Sequence, residues 1–227
     1  MEYEIKGDNL PVVICKLNPG EVMVSQAGAM GWMSDNIIMD TNMKGGLMGG
    51  LGRMFSGESL FLNTFTSSRG SGTIAFPSSF PGKILVLELK AGESIIAQKD
   101  AFLASEESVS LEVYFKKKLA AGLFGGEGFI LQKITGPGVV FLEMDGHIEE
   151  YDLEPGEVIK VDTGHVAMFE QSVSFDIVTV KGMKNVLFGG EGLFLTTLTG
   201  PGKVYLQTMP IQNLAGQISR LIPSKAD

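Results

Sequence analysis

The side chains best suited to chemistry in this chain are few: two histidines, His147 and His165, and one cysteine, Cys15. A metal site of the usual kind draws three or four ligands from clustered His, Cys and carboxylate groups. Here the histidines stand 18 residues apart with no cysteine near either. His147 follows Asp145-Gly146, a turn signal, and is expected at the surface; His165, in Asp162-Thr163-Gly164-His165, is expected to stabilise a turn or lie exposed. Carboxylates recur too regularly to single out a catalytic pair, since Glu21, Glu93 and Glu157 repeat one another, as do Glu58, Glu127 and Glu191. The box Gly125-Gly126-Glu127-Gly128 lacks the Lys and Ser or Thr of a phosphate-binding loop, and its glutamate would repel phosphate. The segment after the box, Phe129-Ile130-Leu131-Gln132-Lys133-Ile134, reads as a strand, whereas a dinucleotide fingerprint needs a helix there. No catalytic residue, metal ligand or cofactor is assigned, and the chain is expected not to be an enzyme.

These residues sit in a chain that repeats itself. Phe55-Ser56-Gly57-Glu58, Phe124-Gly125-Gly126-Glu127 and Phe188-Gly189-Gly190-Glu191 are three versions of one phrase. Each is preceded by a second phrase: Pro19-Gly20-Glu21, Ala91-Gly92-Glu93 and Pro155-Gly156-Glu157. The distance between the two Gly-Glu pairs is 37 residues in the first copy and 34 in the other two. A third phrase, Thr135-Gly136-Pro137-Gly138 and Thr199-Gly200-Pro201-Gly202, has its decayed counterpart around Arg69-Gly70-Ser71-Gly72. Ordered markers at matched spacing predict repeats over 10–80, 82–145 and 146–209 within a single domain, followed by a C-terminal helix over 210–222.

Each repeat opens on a strand pattern, Val12 to Leu17, Ile84 to Leu89 and Ile148 to Leu153. The middle one is almost continuously apolar, predicting burial on both faces; the last is much more polar. The Pro-Gly or Ala-Gly pair then makes a tight turn, and the glutamate after it is placed to bond its carboxylate to the turn backbone. Val109 to Phe115 and Val173 to Val180 alternate in polarity as half-buried strands do. Many short strands parted by Gly and Pro turns predict an all-β sandwich or barrel-like body. Phe55, Phe124 and Phe188 are expected in its core. Cys15, in the run Val12-Val13-Ile14-Cys15, is expected to be a buried inert thiol.

Past Pro210 the period changes. Ile211, Leu214, Ala215, Ile218, Leu221 and Ile222 fall at helical spacing and Pro223 ends the run. The helix is expected to cap an open end of the β body, with docking on a partner or a membrane interface as the alternative.

With 44% hydrophobic and 19% charged residues the chain is globular. A net charge of −8 opposes nucleic-acid binding in general. The acidic start Met1-Glu2-Tyr3-Glu4 lacks the pattern of a secretory signal and no apolar run reaches membrane-spanning length, so a cytoplasmic location is expected. The connectors before the central phrase mix cations with apolar residues. Lys44, Arg53, Lys116, Lys117, Lys118, Lys181 and Lys184 therefore form a candidate interaction surface for a peripheral membrane or protein partner. The first repeat is rich in Met, filling its core; Trp32, Met33, Met43 and Met48 are alternatives for a subunit contact.

Gly57-Glu58-Ser59-Leu60-Phe61-Leu62-Asn63, Asp100-Ala101-Phe102-Leu103-Ala104, Asp162-Thr163-Gly164-His165 and the paired Gly-Glu-Gly and Thr-Gly-Pro-Gly boxes resemble the altered inheritance of mitochondria protein twenty-four family, also described as a mitochondrial biogenesis family. The resemblance spans essentially the whole chain. It implies a fold like the tryptophan RNA-binding attenuation protein, with three β-rich repeats around a pseudo-threefold axis. It also implies homo-oligomers, trimers among them, and, for mitochondrial relatives, a role in inner-membrane organisation. No catalytic residue comes with it. Residues and resemblance together lead to the expectation of a non-enzymatic oligomeric scaffold or interaction protein acting at a membrane surface, with a small-ligand or RNA-binding module like the attenuation protein as the alternative.

Overall fold

A computed structural model of the chain describes residues 1–41, 62–117, 128–179 and 194–221. The fold is all-β and sandwich-like: the described residues form several antiparallel sheets and one short C-terminal helix. The chain divides into two compact units, Met1–Lys116 with Ile130–Met144, and Lys117–Phe129 with Asp145–Asp227.

Among the described residues, the first unit holds thirteen strands, but for the end residues Lys117, Phe129 and Asp145. They are β1 (Glu2–Lys6), β2 (Val12–Leu17), β3 (Val22–Gln26), β4 (Trp32–Met33), β5 (Ile37–Asp40), β6 (Leu62–Ser67), β7 (Gly72–Pro77), β8 (Gly82–Leu89), β9 (Ser94–Gln98), β10 (Phe102–Glu106), β11 (Ser110–Lys117), β12 (Phe129–Thr135) and β13 (Gly138–Asp145). One sheet runs β1-β2-β7-β4 and another β5-β6-β3-β10-β13-β8, while β11, β12 and β9 lie side by side in that order. In β2 the alternation puts Val13, Cys15 and Leu17 inside, where they meet Met23, Phe65, Phe76, Leu103 and Phe141. Phe65 and Phe76 contact edge to face with ring centres 5.7 Å apart, a favoured aromatic geometry. Each such fully buried side chain contributes roughly 1.5–3 kcal/mol. Cys15 is buried as expected, and burial pushes its thiol up to about 12. The apolar run of β8 departs from expectation: the strand lies at a sheet edge, with Leu85, Val86 and Leu87 only half-buried.

The second unit holds β14 (Ile148–Leu153), β15 (Val158–Asp162), β16 (Val166–Glu170), β17 (Ser174–Thr179), β18 (Phe194–Thr199), β19 (Gly202–Gln207) and the helix α1 (Ile211–Leu221). Here β16, β19 and β14 are neighbours in that order, and β18 lies between β15 and β17. Register turns the row Val161, Thr196 and Ile177 inward and the row Lys160, Thr197 and Asp176 outward. Phe169 of β16 stacks on Phe175 of β17 at 5.8 Å. The polar strand β14 is exposed over Glu149 to Asp152, as its sequence predicts.

The expected turn bond is present three times. Glu21 Oε2 accepts from Asn18 N at 2.8 Å, Glu93 Oε2 from Lys90 N at 2.9 Å, and Glu157 Oε2 from Glu154 N at 2.9 Å. The glycines before them take φ of +88°, +81° and +82°, the left-handed backbone that a residue with a Cβ resists. The core residues predicted at Phe55, Phe124 and Phe188, and the second glutamate series Glu58, Glu127 and Glu191, lie outside the described residues.

Candidate functional site

Three features of the described surface bear on function. The candidate cationic surface, expected as a rim at one end of the body, is represented by Lys116 and Lys117 at the end of β11; Lys44, Arg53, Lys118, Lys181 and Lys184 lie outside the described residues. Lys116 points outward with Glu112 and Tyr114 on the solvent-facing side of the strand. Lys117 is half-buried, its Nζ 3.5 Å from the Ile177 carbonyl of the same unit. Of the residues considered for a subunit contact, Trp32 is 54% exposed, whereas Met33 packs against the core of the first unit. Met43 and Met48 lie outside the described residues.

The second feature is an open cleft of about 600 Å³ in the second unit, lined by Asp152, Glu154, Glu170, Ser172, Pro201 and Gly202. Its geometry comes from the Thr-Gly-Pro-Gly phrase. Gly202 has φ +134°, and a Cβ there would press on Ser172 Oγ and come within 3.1 Å of Glu170 Oε2. The bare backbone lets Glu170 Oε2 accept from Lys203 N at 3.1 Å. Beside it, Lys203 Nζ bonds Glu150, which raises the lysine's pKa and lowers the glutamate's. In the first unit, Glu106 Oε2 accepts from Val139 N at 2.9 Å beside Gly138, whose φ is +137°. A carboxylate used the same way in both units is explained by holding a turn. The cleft is acidic, and would attract a cation and repel phosphate.

Sequence reasoning passed over Glu106 and Glu170. Their signal was available, because the offset between them equals that between Glu93 and Glu157. The same offset links Glu143 with Gln207. Glu143 Oε2 accepts from Ser79 N at 2.7 Å and Ser78 Oγ at 3.1 Å; Gln207 Oε1 accepts from Asp145 N at 3.2 Å and its Nε2 donates to the Gly164 carbonyl at 3.0 Å. Both histidines behave as their surroundings predict. His165 closes a 3-10 turn with Nδ1 2.7 Å from the Gln207 carbonyl, and His147 is exposed with Nε2 3.3 Å from Glu149 Oε1. Among the described residues no group of three His, Cys, Asp or Glu side chains is placed to hold a metal.

The third feature is α1. Pro210 is buried and stands just before the helix; its carbonyl accepts from Asn213 N at 2.9 Å. The Ile211 N–H donates to Asp145 Oδ2 at 3.1 Å, an acceptor at the positive end of the helix. The first turn is therefore fixed. Ile211 and Leu214 are half-buried, but Ile218 is 49% and Leu221 83% exposed. The expectation of a helix laid down as a cap is corrected here, since its later apolar residues face solvent. No described helix is long and apolar enough to cross a membrane.

Fold and surface together define the class: an all-β, sandwich-like protein carrying one amphipathic C-terminal helix. Residues 3–209 match the mitochondrial biogenesis AIM24 family, and the chain belongs to that family. It is 30% identical over 226 residues to an uncharacterized protein of Streptococcus pyogenes serotype M6, covering 96% of this chain and 89% of that one. It is also similar to a Streptococcus pyogenes protein known from an X-ray crystal structure, with TM-score 0.78 and 27% identity over 97% of this chain and 99% of the other.

Proposed function

We propose that this member of the family is a non-enzymatic, homo-oligomeric scaffold that works through contact surfaces, a membrane surface among its partners. The observation that carries the reading is the exposure of Ile218 and Leu221 on an amphipathic helix whose first turn is fixed. Large apolar side chains held in water on an ordered element are a usual mark of a surface meant to be covered. A body of three related repeats, arranged like the tryptophan RNA-binding attenuation protein, is part of the proposal. Recurring strand neighbours support it: β2-β7-β4, β8-β13-β10 and β14-β19-β16 form one series, and β5-β6-β3, β11-β12-β9 and β17-β18-β15 another.

Native mass spectrometry of the full chain tests the assembly; a monomer at every concentration up to tens of micromolar overturns it. Flotation with vesicles containing anionic lipid, at low and high salt, tests the membrane arm. Lys116→Gln with Lys117→Gln should weaken any such binding by roughly 1 kcal/mol per cation. Unchanged flotation removes the rim as the contact. The acidic cleft favours a second reading, a binding module for a small cationic ligand, over one for RNA.

A further inference from the structure

We propose that Glu21 and Glu106 form a binding site for the α-ammonium group of Met1, and that this contact latches β1 onto the edge of β2, so that blocking the amine frees the strand. The site lies within the first unit and does not depend on the scaffold reading. Each carboxylate divides its two oxygens between two tasks. Glu21 Oε2 accepts from Asn18 N and Glu106 Oε2 from Val139 N, which fixes both side chains on turns. The other oxygens converge: the Met1 nitrogen stands 3.3 Å from Glu21 Oε1 and 3.9 Å from Glu106 Oε1. The Met1 side chain is 2% exposed and packs against the cluster that holds Cys15, Leu17 and Met23. Apolar burial and charge pairing therefore act on the same residue.

The chemistry selects a primary ammonium. It brings three N–H donors and a positive charge, and two half-buried carboxylates accept both. An amide nitrogen brings one donor and no charge, and its acyl oxygen would be one more acceptor facing two others. Formylation, acetylation or a residue joined before Met1 should all be rejected for this reason. What depends on the contact is β1. All five of its side chains are exposed, so little apolar burial holds it. Beyond its ladder with β2 it has the Glu2–Lys16 ion pair and the edge-to-face contact of Tyr3 with Phe141. An exposed ion pair contributes little. Among the described strands, β8 and β14 stand beside β13 and β19 as β2 stands beside β7, and both end their rows there, whereas β2 is followed by β1. The latch thus decides whether the first sheet ends on a charged strand or on the bare β2 edge, whose unpaired N–H and C=O groups would be open to another strand.

Amide hydrogen exchange of the full-length protein tests this, comparing the chain whose Met1 amine is free with the same chain acetylated at Met1 alone. Exchange across β1 should be at least about tenfold faster after acetylation, as loss of a charge-assisted contact worth about 1.4 kcal/mol requires. Exchange in the β17–β18 ladder should not change. Glu21→Gln/Glu106→Gln, which keeps an acceptor on each turn, should loosen β1 to a similar extent, and acetylating that variant should add less than about twofold because the contact is already gone. Unchanged exchange in the acetylated chain would overturn the proposal. So would an acetylation effect as large in the double variant as in wild type, or equal acceleration in β17 and β18, which would mark general destabilisation. Wild type alone gives a second measurement. Under a trace of acetic anhydride the Met1 amine, relative to Lys6, should react at least about tenfold more slowly in the folded protein than in urea, as a group reached only through local opening does; equal ratios overturn the latch. Peptide mapping of the chain from its source should find the Met1 amine free, and an acyl group or a further residue there in every molecule would equally overturn it.

Discussion

Glu143 and Gln207 show how one position can be filled by two chemistries. Each accepts a hydrogen bond from the backbone of a turn, but only the glutamine can also donate, as it does to the Gly164 carbonyl. Desolvation raises the Glu143 pKa above the ordinary carboxyl value, against the hydrogen bonds from Ser79 and Ser78 that lower it. The folded state then holds that proton more tightly than the unfolded chain. The glutamate's contribution is full below the unfolded pKa and is lost as pH rises through the raised one. Glu143→Gln keeps the acceptor and removes the charge. It should raise the thermal midpoint at pH 7.5 by about 2–4 °C, as a gain of roughly 1 kcal/mol does in a chain of this size, and give no gain at pH 4. Glu21 has the opposite sign. The Asn18 N–H lowers its pKa first, and the Met1 ammonium, 3.3 Å from Oε1, adds to this. Its contribution is present above the unfolded carboxyl pKa and lost as pH falls through the depressed one. Glu21→Gln should therefore lower the midpoint at pH 7 and leave it unchanged near pH 2.

Among the elements, the tight turns are where sequence spelling and backbone geometry agree most closely. Gly20 needs its left-handed φ and nothing more, for a Cβ there meets no atom within 4 Å. Gly136 is required by proximity: a Cβ would lie 2.5 Å from the Lys90 carbonyl oxygen and 2.6 Å from Leu89 Cβ. Urea unfolding should register about 1 kcal/mol for Gly20→Ala and about 3 kcal/mol for Gly136→Ala, where backbone has to move. Equal costs would show that the Leu89–Lys90 strand end yields freely. The strands β11 and β17 were legible because alternation reports a sheet with one wet face, and β2 because a short apolar run precedes a Pro-Gly turn. The run Ile84 to Leu89 misled because apolar composition does not reveal whether a strand has neighbours on both sides, and β8 lies at an edge. The stripe of α1 was equally plain, but periodicity says which residues share a face and not what meets it. The turn at Arg69-Gly70-Ser71-Gly72 is held from a distance: Asn36 Nδ2 donates to the Arg69 carbonyl at 2.6 Å and the Ser71 carbonyl at 3.2 Å. That side chain lies more than thirty residues away in sequence, and no local reading could have found it.

For the whole molecule, the balance between its charge and its apolar faces decides what can meet it. A homo-oligomer would multiply the charge of −8 and not cancel it, so net charge opposes contact between copies. Contact of Lys116 and Lys117 with an anionic bilayer would work the other way, as attraction of opposite charges. Added salt shortens the Debye length from about 30 Å at 0.01 M to about 3 Å at 1 M. It should therefore strengthen any association of copies, by screening their mutual repulsion, and weaken binding to anionic vesicles. Sedimentation and flotation on one preparation at about 50 mM and about 500 mM salt give the two signs directly. Self-association that weakens with salt would show that complementary charges bring the copies together.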